Sequence, residues 1–301
     1  MTLSDLRKPR IPEEELVSSG HIACAGCGER LALKFALKAL GQNTVVVVPA
    51  SCSAVVDGMF PTSAVSVPYI HNTFESTAAV AAGVKRGFQI QNKHDINVLA
   101  WAGDGGTYDI GLQALSAAAE RNEDIVYICY DNEAYMNTGI QRSSSTPFKT
   151  WTTTTPLSKP KIQPKKNIMD IMASHRIPYA ATASIAFPED MINKIKKAKE
   201  TKGLTFILTF TPCPTGWKSA PEDTVKLARL AVTTRIFPLY EIFNGVDYKV
   251  NKEIRANEVE EYFNIQGRFK DITEEDLKYI KENIQYDWDL LLKREMSKKD
   301  Q

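Results

Sequence analysis

The 301 residues are long for one domain and short for two full ones. With 43% apolar and 24% charged residues, the chain can bury a sizeable core beneath a soluble surface. A formal net charge of +1 removes any global electrostatic case for binding nucleic acid or acidic lipid.

In chain order, residues 1–20 are polar, carry Pro9 and Pro12, and read as an N-terminal arm unlike a signal peptide. Strong helix formers predict a helix over 29–40, stopped at Gly41. The β-branched run 44–49, closed by Pro49, fits a strand buried on both faces. The alternation repeats with a helix at 75–91, a strand at 97–102, a helix at 109–120 and a strand at 125–130. Beyond a long loop come a helix at 167–175, a strand at 179–183, a helix at 188–201, a strand at 204–211 and a helix at 221–236. Such alternation predicts an α/β fold, a doubly wound parallel sheet with helices on both faces, over 21–239. Residues 240–301 are charged and mostly helical apart from a hairpin near 240–250, and read as an extension packing on the main domain or on a partner chain. No stretch approaches the ~18 apolar residues of a membrane span. The lysines near 193–202 and at the C-terminus alternate with acids, as solvated helix faces do. A cytoplasmic protein with reduced thiols is expected.

The loop between Asn132 and Lys166 runs through Thr138-Gly139-Ile140-Gln141-Arg142-Ser143-Ser144-Ser145-Thr146-Pro147. Loops of this length are functional or disordered. Its place directly after a strand's carboxyl end favours an ordered cover over a ligand, because open α/β sheets bind ligands there.

Five cysteines in such a chain suggest metal or redox chemistry before disulfides. Cys129 sits inside an apolar strand and reads as a buried, inert thiol. Cys24 and Cys27 form a Cys-x-x-Cys pair just before a helix N-terminus, which favours thiolate over thiol. Cys52 and Cys213 each follow a predicted strand, placing both at the same edge of the sheet. Four thiolates suit a [4Fe–4S] cluster. Structural zinc also takes four, though usually as two close pairs. Unrelated buried cysteines are the third reading, and the spacing leaves all three open.

A second signal is Gly103-Asp104-Gly105-Gly106 at the end of one predicted strand, with Asn132 at the end of the next. Glycines let a backbone approach a ligand closely, and the helix that follows presents its N-terminus to phosphate. An Asp, an Asn and a backbone carbonyl are oxygen ligands of the kind magnesium prefers beside a diphosphate. The dinucleotide fingerprint and the Walker loop are both absent.

This pairing resembles the thiamine-diphosphate motif, which runs from Gly-Asp-Gly across one βα unit to an asparagine. With Cys24, Cys27, Cys52 and Cys213, and with the segment from Tyr130 to Pro147, the chain is similar to the β-type subunit of the 2-oxoacid:ferredoxin oxidoreductases, pyruvate branch. The resemblance covers roughly residues 20–240 and implies the thiamine-diphosphate-binding fold. It further implies that Asp104, Asn132 and the Ala134 carbonyl hold Mg²⁺, with Gly103, Gly105 and Gly106 around thiamine diphosphate. The four cysteines would hold a [4Fe–4S] cluster, and Asn137 would contact substrate.

The implied activity is oxidative decarboxylation of pyruvate with coenzyme A, passing electrons to ferredoxin. Partner chains of α and γ type would supply the activating glutamate, beside a ferredoxin-like δ chain. Glu75 opens a predicted helix and is read as a cap or partner contact, and His71 as structural. In a broad-specificity branch a lysine follows the third cysteine by three positions; Val55 stands there, which counts against that branch and against 2-oxoglutarate. 2-Oxoisovalerate, arylpyruvate and oxalate stay open as substrates. Two other classes compete: a non-redox thiamine-dependent decarboxylase half-subunit, and a zinc-stabilised binding module.

Overall fold

The computed structural model describes residues 11–59, 61–251 and 258–296. Residues 1–10 of the expected arm, and 252–257 and 297–301 of the expected extension, with its last lysines, lie outside the described residues.

The first helix, α1 (Gly28–Leu40), leads into strand β1 (Thr44–Pro49), whose six residues are all buried. A short helix α2 (Cys52–Val56) and strand β2 (Tyr69–Asn72) follow. Then come α3 (Thr77–Ile90), β3 (Asn97–Gly103), α4 (Leu112–Glu120) and β4 (Val126–Asp131). After the long segment the chain resumes with α5 (Ile168–Ser174), β5 (Tyr179–Ser184), α6 (Pro188–Glu200), β6 (Thr205–Phe210), α7 (Pro214–Trp217) and α8 (Thr224–Thr233). The hairpin β7 (Tyr240–Phe243) and β8 (Asp247–Val250) precedes α9 (Glu260–Asn264) and α10 (Glu274–Met296).

One eight-stranded sheet results, in the order β2-β1-β3-β4-β6-β5-β7-β8. All pairings from β2 to β5 are parallel, and the hairpin adds two antiparallel strands through β5–β7. Helices cover both faces, with α1 packed on α6 and α3 on α4. The doubly wound α/β expectation is therefore met. Strands β1, β4, β5 and β6 are buried along their whole length. Each buried aliphatic side chain there contributes roughly 1.5–3 kcal/mol, which makes the sheet a stiff platform.

Several elements differ from the expectation. Strand β2 has no counterpart in it, because its four half-exposed residues at the sheet edge carry no apolar periodicity. The helix expected over 109–120 begins at Leu112, since Gly105–Asp109 winds as a π-helical turn. Such turns cluster at functional sites.

Topology fixes where a ligand fits. The chain leaves β1 toward β2 on one side and leaves β3 toward β4 on the other, opening a crevice between their carboxyl ends.

Candidate functional site

A cleft of about 510 Å³ occupies that crevice. Its walls include Cys52 after β1, Gly103, Asp104, Gly105 and Gly106 after β3, and Asn132, Ala134 and Asn137 after β4. Eight residues singled out in the sequence thus share one cavity.

At its floor, Asp104 is 1% exposed. Burial, and then the neighbouring Asp131 charge, hold its carboxyl well above the usual range, while the Ser143 hydroxyl works in the opposite direction. The side-chain oxygen of Asn132 stands 3.0 Å from both Asp104 Oδ1 and the Ala134 carbonyl oxygen. The Asn132 amide oxygen and the Ala134 carbonyl oxygen carry no proton to place between them. Turning the Asn132 amide supplies two N–H donors, and a cation between the oxygens satisfies them equally well. Neighbouring ligands of an octahedron with ~2.1 Å bonds also stand about 3.0 Å apart, so the spacing suits magnesium.

The glycines have steric reasons. A Cβ on Gly105 would fall inside the Tyr135 ring, whose hydroxyl donates to Asp109 Oδ2 at 2.6 Å. One on Gly103 would press on Tyr130 at 3.0 Å.

The segment from 132 to 166 is a folded cover. Its consecutive serines 143–145 each engage a different carboxylate. Ser143 donates to Asp104, Ser144 to Asp109, and Ser145 to Asp131 Oδ1, the last at 2.6 Å. Asn137 is exposed and lines the cleft. Glu75 and His71 are exposed and line no part of it; Thr73 donates to Glu75 at 3.0 Å.

A buried charge network, unseen in the sequence, backs the magnesium-type triad. Lys165 pairs with Asp131 at 2.6 Å and with Glu133 at 3.0 Å. Arg268 pairs with Glu133 at 2.6 Å, both residues being nearly inaccessible. Burial would raise the Glu133 carboxyl, but Lys165 and Arg268 hold it below its ordinary value. Glu133 itself has a φ of +69°, a left-handed conformation uncommon outside glycine, which such a clamp sustains.

The four sequence-selected cysteines come from three distant segments. Gly28 N–H bonds Pro212 O at 3.2 Å, and Thr224 Oγ1 donates to Gly26 O at 2.6 Å, docking the Cys24–Cys27 turn on the Cys213 loop. A Cβ on Gly28 would meet Pro212 O at 2.7 Å, so glycine permits this approach. Cys213 caps α7, its sulfur accepting from Gly216 N at 3.4 Å. Burial, the Glu29 carboxylate, and then Cys213, Cys27 and Cys24 all push the Cys52 thiol up, so the four feel one another. Cys129 is fully buried in β4.

The expected thiolate at the helix N-terminus is corrected here. Burial and Glu29 push Cys27 up to about 12, outweighing its backbone N–H contacts. Among the described residues, no three His, Cys, Asp or Glu side chains converge closely enough to grip one metal ion. No helix among them is long and apolar enough to cross a membrane.

The family model described as thiamine pyrophosphate enzyme, C-terminal TPP binding domain, matches residues 50–208. The chain is 52% identical over 279 residues to the pyruvate synthase subunit PorB of Methanothermobacter thermautotrophicus, spanning 91% of this chain and 96% of that one. It is 48% identical over 298 residues to the ketoisovalerate oxidoreductase subunit VorB of Pyrococcus furiosus, spanning 95% and 96%. Among solved structures, the 2-oxoglutarate:ferredoxin oxidoreductase from Magnetococcus marinus, with 2-oxoglutarate, coenzyme A and succinyl-CoA bound, superposes with a TM-score of 0.58. That match covers 73% of this chain and 81% of the other at 22% identity, and speaks for the fold.

Proposed function

The chain belongs to the β-type, thiamine-diphosphate-binding subunits of the 2-oxoacid:ferredoxin oxidoreductases, and on that premise we propose that it helps oxidise pyruvate with coenzyme A. The balanced reaction takes pyruvate, coenzyme A and two oxidised ferredoxins to acetyl-CoA, carbon dioxide, a proton and two reduced ferredoxins. The observation that carries the site is the convergence of Asp104, Asn132 and the Ala134 carbonyl at the floor of the cleft.

These three oxygens form a hard donor set that fits Mg²⁺. Gly103, Gly105 and Gly106 leave the backbone bare where a diphosphate approaches. Cys24, Cys27, Cys52 and Cys213 form a soft donor set that fits a [4Fe–4S] cluster. A cluster's four sulfurs each bind a different iron and stand further apart than four sulfurs gripping one zinc. Cys213, Cys27 and Cys24 all act on the Cys52 thiol, so the four share one neighbourhood, which supports the cluster reading. When bound, thiamine diphosphate supplies the carbanion chemistry that releases carbon dioxide, and the cluster accepts electrons singly. Asn137, at the cleft's rim, orients the substrate through its amide. The cleft has no glutamate among its described lining residues, and the activating carboxylate belongs to a partner subunit in this proposal. Residues 21–239 then act as the cofactor-binding unit and 240–301 as its extension, in a cytoplasmic hetero-oligomer with α-, γ- and δ-type chains.

A second substrate has a specific observation in its favour. The VorB relative is named for ketoisovalerate and is nearly as similar as the pyruvate synthase subunit. Anaerobic purification with the co-purifying chains tests both readings. A brown complex with about four irons per chain, bleached by pyruvate and coenzyme A, is the expected result. Faster bleaching by 2-oxoisovalerate moves the substrate. A colourless sample holding zinc overturns the oxidoreductase reading.

A further inference from the structure

Tyr130, next to last in β4, pairs with Gly103 at the end of β3. Its ring is held on two sides. Trp101 packs on it with ring centroids 5.3 Å apart, and a Cβ on Gly103 would lie 3.3 Å from its hydroxyl. Trp101 is itself pinned, its indole N–H donating to Glu29 Oε1 at 2.9 Å. Tyr130 is 2% exposed, yet its hydroxyl has no hydrogen-bond partner. Among the described buried side chains left with an unpaired polar atom, Tyr130 alone lines the cofactor cleft. A buried hydroxyl without an acceptor costs stability, so an acceptor from outside the chain is called for. Burial, and then the Glu29 and Cys52 charges, hold the phenol well above the usual tyrosine range. Ser51 and Ser53 approach the oxygen and act the other way, without bonding it. Ser51 spends its own proton on Pro49 O at 2.8 Å. The hydroxyl therefore stands at the wall that the Asp104 cleft shares with Cys52, a donor with nothing to donate to.

We propose that the Tyr130 hydroxyl donates to a sulfur of the [4Fe–4S] cluster on its Cys52 side, holding the cluster at a higher reduction potential than its four thiolates alone would set. This role rests on the cluster reading of Cys24, Cys27, Cys52 and Cys213 given above. Each electron adds negative charge to a cluster, and the sulfurs carry much of it. A hydrogen bond strengthens as that charge grows, so it stabilises the reduced form more than the oxidised one. No proton moves in this step; the phenol keeps its own. Two rival acceptors exist. Bound thiamine diphosphate is one, because the hydroxyl lies over Gly103. A water shared with Glu29 Oε2, which is also unpaired, is the other. The sulfur is favoured because the residues that crowd the oxygen, Ser51 and Ser53, are the two neighbours of Cys52. Clamped between Trp101 and Gly103, the ring has little freedom to turn its hydroxyl elsewhere.

The test uses the anaerobically purified complex, unaltered and as Tyr130→Phe, which removes the hydroxyl and keeps the ring. Iron should stay at about four per chain. Mediated redox titration, followed by the electron paramagnetic resonance of the reduced cluster, should show a lower potential in the variant. The expected change is about tenfold in the reduction equilibrium, or about 59 mV for one electron. The signal missing from Cys52→Ala identifies this cluster among any that partner chains hold. In deuterium oxide that signal should carry a coupling to an exchangeable deuteron that the variant lacks. Affinity for thiamine diphosphate should be that of the unaltered complex. An unchanged potential at full iron content overturns the inference and leaves the cluster reading standing. Weaker thiamine diphosphate binding at an unchanged potential overturns it by giving the hydroxyl to the cofactor. A lower potential with the deuteron coupling intact overturns it in favour of the water beside Glu29. Absence of iron from both proteins overturns the cluster reading and this role together.

Discussion

The guanidinium carbon of Arg268 lies 3.7 Å from the ring centroid of Trp217, and the indole N–H of Trp217 donates to the Asn132 carbonyl oxygen at 2.8 Å. A residue of the C-terminal segment therefore steadies the backbone of a proposed magnesium ligand through one aromatic ring. The same guanidinium neutralises Glu133, the residue between Asn132 and Ala134. Trp217 closes the short helix that Cys213 opens, so the thiol and the magnesium-type triad lean on one four-residue element.

Arg268→Ala leaves Glu133 buried with Lys165 as its one remaining cation. Removing one partner of a buried pair costs about 3–5 kcal/mol. The melting temperature of the complex should fall, and more Mg²⁺ should be needed to saturate with thiamine diphosphate. Arg268→Lys should restore part of the melting temperature, since it returns the charge without the planar stack. A lowered melting temperature with unchanged Mg²⁺ dependence would confine Arg268 to packing.

The cysteines divide four to one. Alanine at Cys24, Cys27, Cys52 or Cys213 should reduce iron from about four per chain toward zero. Cys129→Ala, deep in β4, should keep the iron and cost only about 1 kcal/mol for the small void. Metal analysis of the five variants reads this directly, and equal iron in all of them would refute the assignment.

Gly105→Ala places a methyl where the Tyr135 ring stands. The ring must turn out, breaking its 2.6 Å bond to Asp109 and loosening the wall of the cleft. Thiamine diphosphate affinity should drop about tenfold, the worth of one such contact. Titration followed by tryptophan fluorescence checks it, and undiminished affinity would show that the ring yields freely.

Lys161 sets a pH dependence. Its pKa falls from 10.5 to about 8 in the folded chain, so the unfolded chain holds the proton more tightly between those values. Stability from this group is fully present above pH 10.5 and is lost as pH falls through about 8. Burial, then the Arg142 and Lys165 charges, produce the shift against Glu133 and Asp109. The melting temperature should therefore gain from this group between pH 8 and 10.5, and Lys161→Met should remove that gain. Equal pH dependence in both proteins would rule out Lys161 as its source.

Much of the architecture was legible because buried strands announce themselves. Residues 45–48 and 125–130 are unbroken apolar runs, and the structure buries them on both faces. The edge strand Tyr69–Asn72 was not, since half-exposed residues of mixed polarity carry no period. For the site, Asp104, Asn132 and the cysteines were readable from residue type and position at strand ends. Lys165, Trp217 and Arg268 were not. Their partners lie far along the chain, Arg268 from Glu133 by 135 positions, and a lone buried cation looks in sequence like any surface one. The serine run 143–145 carried one available signal, a cluster of hydroxyls following acids at strand tips. The helix-terminus rule misled for Cys27, because burial beside Glu29 outweighs a few N–H dipoles.

The bond from Gly28 N–H to Pro212 O has a consequence for biosynthesis. A ribosome releases Cys24 and Cys27 early, yet the loop that holds their turn emerges only after most of the sheet. Closing a loop of that length carries an entropic cost that only the finished sheet offsets. Until Cys213, Trp217 and finally Arg268 are made, the first thiols hang in an open turn with nothing to share. Loading of the proposed cluster is therefore a late event in the life of the chain. A chain cut short before Cys213 lacks both the loop that holds the first two thiols and the fourth thiol itself.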